Sequence, residues 1–407
     1  MKYVLKNKDI DILQFESEIT QKTSGEYGTD IKQSLKNIVV LKASALPLNL
    51  KTKDNIEKNL LRWIKKRKAP ENRQFIEKII ATYSSGGQEM PLDYINISLG
   101  LSLNDSFWIV PVDKDYKWKD YNLYDNPFDE RIKHIAFGDF SQKVSGFTSS
   151  PEYTTYGMLP KCWHRENDKI YLYKGSSTEY ANMGKEAYGE YYMAQIAEVM
   201  NFNHIDYNLK EFHGQIVSSC EIFTSENEGY INIISFLNDE SIEYIANNEM
   251  KANRNSIIQD IIKTYGKDNF ENLMLFDAII YNTDRHCGNF GMIIDNDTNA
   301  ILRPAPIFDN GLSIFNKPTK DDLKDIKLCM NQLVSYFEYD FDEQLKRFVQ
   351  PRHIPNLEKL KTFEFKKHKE FNLPDSWLEP IQKALQDRAN LALEFAYQKD
   401  KNYKLLK

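Results

Sequence analysis

The sequence predicts an α+β chain in which a small β-rich segment precedes a large helical one, with an extra region ahead of both. Three observations carry this expectation. Short, alternating apolar runs bounded by turn residues fill residues 137–223. Apolar residues at helical spacing dominate from Ser241 onward. One hairpin pattern, residues 281–311, interrupts those helices with a cluster of acids and amides. The implied divisions are 1–135, an accessory region; 136–225, the β-rich segment; and 226–407, the helical segment that contains the hairpin.

Composition narrows the class. A chain of 407 residues with 41% hydrophobic and 28% charged residues is ordinary globular protein, long enough for more than one full core. The formal net charge of -6 weighs against direct nucleic-acid binding. Cys162, Cys220, Cys287 and Cys329 are widely spaced and form no CxxC pair, as expected of free thiols in a reducing compartment. The first residues carry no long apolar run, and no stretch has the length of a membrane span. A cytoplasmic protein with no membrane partner is expected.

Taken in order, residues 56–80 read as helix, with Leu60, Leu61, Ile64, Phe75 and Ile79 as apolar stripes. Within them residues 62–68 form a basic cluster closed by Pro70, either an anion patch or a solvated helix face. Residues 97–109 mix strand-like alternation with turn formers, and the aromatics of 118–128 suit packing. A small-residue loop, 149–157, leads into a strand at 158–164 and a second at 170–174. In the latter Ile170, Leu172 and Lys174 share one face, so a lysine ends an apolar face. Residues 185–200 form a helix with Glu186 and Glu190 four apart. Strands at 205–209 and 215–222 follow, joined through Gly214. Helices are expected at 241–247, 256–265, 270–281, 321–336, 343–349, 354–368 and 380–398.

The chemistry concentrates in the hairpin. Its strands are expected at 290–294 and 300–308, with the turn at 296–299. Asn289 and Asp309 then meet at the open end, one short loop from Asp284. Carboxylates and an amide gathered there suit a hard divalent cation such as Mg²⁺. The five-residue step from Asp284 to Asn289 matches the catalytic loop of protein kinases, with Asp309 in the place of the metal aspartate. Upstream, a strand lysine, Lys174, followed by a helix glutamate, Glu190, is the element order of a kinase small lobe. The expected fold is therefore protein-kinase-like and bilobal, a small β-rich N-lobe and a large helical C-lobe. His286 and Cys287 are adjacent in sequence, which does not make a nucleophile–base pair, and neither has a second ligand at metal spacing.

The stretch NTDRHCGNFGMIID with LRPAPIFDNGLS resembles the catalytic segment of HipA-like serine/threonine kinases, in particular their stand-alone relatives of the CtkA type. SSPEYTTYGMLPKCW, IYLYKG, EAYGEYYMAQIA and SSCEIFTS look like the family's nucleotide loop, lysine strand, glutamate helix and hinge. The resemblance implies ATP and Mg²⁺ as cofactors. It makes Asp284 the catalytic base, Asn289 and Asp309 the metal ligands, and Lys174 the phosphate-gripping lysine. Glu190 is its partner, with Glu186 as the fallback. Glu221, Ile222 and Phe223 would sit beside adenine, and Ser149, Ser150, Thr154, Thr155 and Gly157 would line the nucleotide loop. It further implies phosphorylation of protein serine or threonine hydroxyls, and autophosphorylation on a loop serine. Two departures keep other readings open. The order Asp284-Arg285-His286 is shared with phosphoinositide-type lipid kinases, and the loop has a single glycine, Gly157, so that phosphate cradling falls to its serine and threonine hydroxyls and backbone N–H groups. A nucleotide-binding pseudokinase or scaffold, whose first 135 residues engage a partner, is one alternative. A toxin–antitoxin regulator is the remaining alternative.

Overall fold

A computed structural model describes residues 1–23, 29–51, 55–82, 90, 92–139, 141, 148–177 and 184–405. The chain forms two compact units: Met1–Tyr173 with Thr224–Tyr230 and Ile293–Leu302, and Lys174–Phe223 with Ile231–Met292 and Arg303–Lys407.

The first unit is built on a sheet that the helical reading of its centre did not anticipate. Strands β1 (Lys2–Asn7), β2 (Ile10–Thr23), β3 (Thr29–Val40) and β4 (Phe107–Pro111) lie in the order β3-β2-β1-β4, every neighbour antiparallel. Val4, Leu5, Ile12, Leu13, Phe15, Trp108, Ile109 and Val110 are buried on it. The expected helix over 56–80 is divided into Ile56–Arg67 and Ile76–Ile80. Pro70 biases Ala69 away from helix and has no N–H of its own to give, so the first segment ends before it. Asn55 caps the start by accepting from Glu57 N at 2.9 Å. The basic cluster is not uniform. Arg62, Lys65 and Lys66 are exposed, whereas Arg67 turns inward and grips both carboxylate oxygens of Asp105 at 2.7 and 2.6 Å. Strands β5 (Lys161–Glu166) and β6 (Lys169–Lys174) close the first unit, and the chain enters the second at Lys174.

In the second unit the helix Glu186–Val199 leads to a hairpin of β7 (Asn208–Phe212) and β8 (Gln215–Glu221). Its two-residue turn holds His213 at φ 50° and Gly214 at φ 69°, the paired positive φ that tight hairpins require. Further strands are β9 (Glu228–Asn232), β10 (Gly291–Asp295) and β11 (Ile301–Pro304), of which residues 228–230, 293–295 and 301–302 belong to the first unit. β11 is shorter than the expected strand because Pro304 and Pro306 cannot donate to a ladder. Ile307 instead exchanges hydrogen bonds with the 203–205 segment, donating to Asn203 O at 2.8 Å and accepting from Ile205 N at 3.0 Å.

Helices Asp239–Ala246, Met250–Tyr265, Lys267–Ile280, Phe341–Phe348 and Asp375–Leu405 enclose one continuous core. Phe270, Leu273, Phe276 and Ile280 of the central helix are all within 1% of complete burial. Each such side chain contributes on the order of 1.5–3 kcal/mol. The helix expected at 321–336 stops at Met330. Beyond it the chain turns back on itself, Glu338 at φ 55° and Ser335 N donating to Tyr339 O at 2.9 Å, so that Phe337 and Tyr339 enter the core. The helix expected at 354–368 likewise ends at Leu360.

His353 makes the stability of this unit sensitive to acid. It is 4% exposed, its Nδ1 accepts from Gln350 N at 3.0 Å, and Nε2 faces Asn272 Oδ1 at 2.8 Å. An accepting Nδ1 requires the neutral ring with its proton on Nε2. Burial, then the charges of Arg352 and Lys399, push its pKa from 6.5 down to about 3. The unfolded chain therefore takes up a proton across that window while the folded one does not, and stability falls as pH drops through it, by up to about 1.4 kcal/mol per pH unit. Melting temperatures measured across this range should decline less steeply for His353→Gln than for the parent; parallel curves would refute the assignment.

Candidate active site

The second unit gathers Lys174, Glu190 and Asp309 around one ammonium group. Lys174 Nζ donates to Glu190 Oε1 at 2.8 Å and also bonds Asp309 Oδ1. The Lys174 side chain is 12% exposed and Glu190 1%. Burial alone would lower the lysine pKa, but the Asp309 and Glu190 carboxylates outweigh it and hold the group firmly charged. Both glutamate oxygens are used, since Glu190 Oε2 accepts from Asn310 N at 2.7 Å. Glu186, on the same helix face, turns elsewhere: it accepts from the Ser177 hydroxyl and from Gly184 N at 3.1 Å. Helical spacing alone does not separate the two glutamates. The structure brings Glu190, and not Glu186, to the lysine.

Asp309 sits in left-handed backbone at φ 58°, a conformation that costs a non-glycine residue on the order of 1 kcal/mol or more. Its neighbours hold it there. Asp309 N donates to the Tyr207 hydroxyl at 3.2 Å, and Asn310 N to Glu190 as above. Arg285 bonds Phe308 O and donates to Asn310 Oδ1 at 2.7 Å.

Asn289 Nδ2 donates to Asp284 O at 3.0 Å, which orients the amide and leaves its oxygen for a cation. Asp284 N is itself held by Asn282 Oδ1 at 2.9 Å. Burial raises the Asp284 pKa, against the pull of His286; Asp309 adds to the rise, and Lys174 and Arg285 oppose it. A carboxylate of raised pKa is the stronger base. Among the described residues no three His, Cys, Asp or Glu side chains form a metal cluster. The oxygen donors fit Mg²⁺ nonetheless, because that ion takes one or two protein carboxylates and completes its shell with phosphates and water.

At the end of β8, Glu221 is exposed while Ile222 and Phe223 are half-buried, and the Phe223 ring lies 5.5 Å from that of Phe308. The hinge expected there thus lies beside the segment that bears Asp309.

The expected nucleotide loop belongs to the first unit, and its Ser150, Thr154 and Thr155 hydroxyls are engaged. Ser150 bonds the Glu152 carboxylate, Thr154 donates to Leu101 O at 2.8 Å, and Thr155 donates to Pro151 O at 2.7 Å. Ser149 Oγ is buried with no partner among the described residues. Arg73, 2% exposed, holds the loop by donating to Glu152 O at 3.1 Å and Thr155 O at 3.3 Å and by bonding Lys161 O. Gly157 lies at φ 104°, where a Cβ would fall 2.1 Å from Lys161 Nζ.

Several contributors escape a reading of motifs. Tyr207 and Asn310 carry no spacing signal. Asp277 does, as one acid inside the buried run LMLFDAII, a placement that demands a partner. Gly189 and Gly311 are a matched pair: a Cβ on Gly189 would lie 2.7 Å from Gly311 O. Alanine at a helical glycine ordinarily stabilises by about 1 kcal/mol. Here the obstacle is backbone, so Gly189→Ala should lower the melting temperature instead. A rise would show that the contact yields easily.

No protein-family model matches the chain, and neither does any curated protein. Among solved structures it is similar to a chain of the Shewanella oneidensis MR-1 toxin–antitoxin system HipA, HipB and its operator DNA complex, at 13% identity and a TM-score of 0.50. That match covers 97% of this chain and 98% of the other. The Helicobacter pylori proinflammatory kinase CtkA is similar at 16% identity and a TM-score of 0.45, over 61% of this chain and 93% of that one. The fold is thus mixed α/β and similar to that of the chain from the Shewanella complex. Among the described residues no helix is long and apolar enough to cross a membrane.

Proposed function

We propose that the chain is an ATP- and Mg²⁺-dependent serine/threonine protein kinase of HipA-like type. The observation that carries this reading is the convergence of Lys174, Glu190 and Asp309 in the unit that also holds Asp284 and Asn289. Lys174, fixed by Glu190, presents a permanent positive charge to the nucleotide's phosphates. Asp309 and Asn289 would hold Mg²⁺, which when bound neutralises phosphate charge. Asp284 accepts the proton of the attacking hydroxyl, its main chain held by Asn282 and Asn289. Phosphoryl transfer then rests on positioning and electrostatics, which is where such reactions gain most of their rate.

Asp284→Ala should lower transfer of labelled phosphate to protein by about 10²–10⁴-fold, and Asp309→Ala should abolish it. If the double variant labels as strongly as the parent, the chain is no kinase. Offering phosphoinositides in the same assay separates a lipid acceptor from a protein one.

The loop supports a second reading. With Ser150, Thr154 and Thr155 bonded to the protein itself, it offers few donors to a phosphate, as a nucleotide-binding pseudokinase or scaffold requires. For the kinase a loop serine is the site of self-modification. A phosphosite map of protein expressed alone should then show phosphate at Ser149 or Ser150, absent from Asp309→Ala. Nucleotide binding without any transfer would favour the scaffold.

A further inference from the structure

Arg285 is among the most deeply buried large side chains, 1% exposed, yet the kinase reading gives it no task. Its guanidinium spends all five N–H groups. Nε donates to Asp277 Oδ2 at 3.1 Å and Oδ1 at 3.2 Å, and Nη2 to Asp277 Oδ1 at 3.1 Å. The other Nη2 hydrogen goes to Asn310 Oδ1 at 2.7 Å. Nη1 donates to Asn289 O at 3.0 Å and bonds Phe308 O. These partners fall into three groups. Asp277 belongs to the central helix Lys267–Ile280, which the core fixes on every side. Asn289 is the amide assigned to the cation. Phe308 and Asn310 are the residues on either side of Asp309.

We infer that Arg285 is a positioning residue that sets the separation of Asn289 and Asp309, so that the two reach one divalent cation. This role rests on the kinase reading above and deepens it. One planar fork references both ligand-bearing segments to one buried anchor, Asp277, and brackets Asp309 where its backbone is left-handed. A buried ion pair alone does not require such an arrangement: neutralising Asp277 takes one charge, not donors aimed at three further oxygens. Lysine carries that charge with three donors on a single flexible point and cannot span the partners. Arg285→Lys therefore separates charge from geometry.

The test is binding of a fluorescent ATP analogue to the full chain at increasing Mg²⁺, with thermal unfolding followed in parallel. For Arg285→Lys the Mg²⁺ concentration giving half-maximal binding should rise tenfold or more, while metal-free nucleotide affinity stays within twofold of the parent. Asn310→Ala removes one arm of the fork and keeps the backbone N–H that Glu190 uses. It should shift the same midpoint by about threefold, and it decides the matter if Arg285→Lys does not fold. An unchanged Mg²⁺ midpoint in the folded lysine variant, or in Asn310→Ala when the lysine variant is unfolded, overturns the role and leaves Arg285 a structural ion pair. So does a loss of metal-free affinity as large as the loss with Mg²⁺. If the parent itself shows no Mg²⁺-dependent nucleotide binding, the kinase reading fails first, and this inference with it.

Discussion

A charge buried in protein must be paired, and the Lys174 ammonium imposes that condition on the second unit. It ends the strand Lys169–Lys174, and its counter-charges are brought to it from distant parts of the sequence. Glu190 arrives on a helix and Asp309 on the far side of a hairpin. Glu190 then uses its second oxygen on the backbone of Asn310, so the same carboxylate that satisfies the lysine also pins the chain beside Asp309. Removing Lys174 leaves two carboxylates, one of them 1% exposed, without their shared counter-charge.

A second buried pair works one layer below. Asp277 and Arg285 carry no charge to the surface, each being 1% exposed, and their energy as a pair is modest once desolvation is counted. What they contribute is direction. A guanidinium cannot lose its proton and cannot bend its fork, so five fixed donors convert one anchor on a helix into fixed places for two loops.

The parts of the site that a sequence displays are those set by local spacing and by the order of elements. The step from Asp284 to Asn289 lies within one loop, and Lys174 precedes Glu190 across a single strand–helix junction, so simple periodicities locate them. Where two answers share a periodicity, as Glu186 and Glu190 do, spacing does not distinguish them and the tertiary setting does. The sheet of β1 to β3 was less visible: Ile10-Asp-Ile-Leu-Gln-Phe-Glu alternates imperfectly, and register shifts near Lys6 and Glu16 break the period that would have marked it. Strand length was misjudged at 300–308, where apolar character continues past two prolines that end the ladder. Tyr207 and Gly189 leave no trace in sequence, since each matters only through what lies opposite it.

That last pair of surfaces has a mechanical consequence. At Gly189 the helix Glu186–Val199 meets Gly311 main chain to main chain, with no side chain between to act as a bearing. Glu190, one residue along, is bonded to the amide of Asn310, one residue back. To tilt the helix outward would open a void at the glycine seam, take from Lys174 one of its two carboxylates and take from the Asn310 amide its acceptor. Swinging that helix therefore carries a cost in charge pairing as well as in packing.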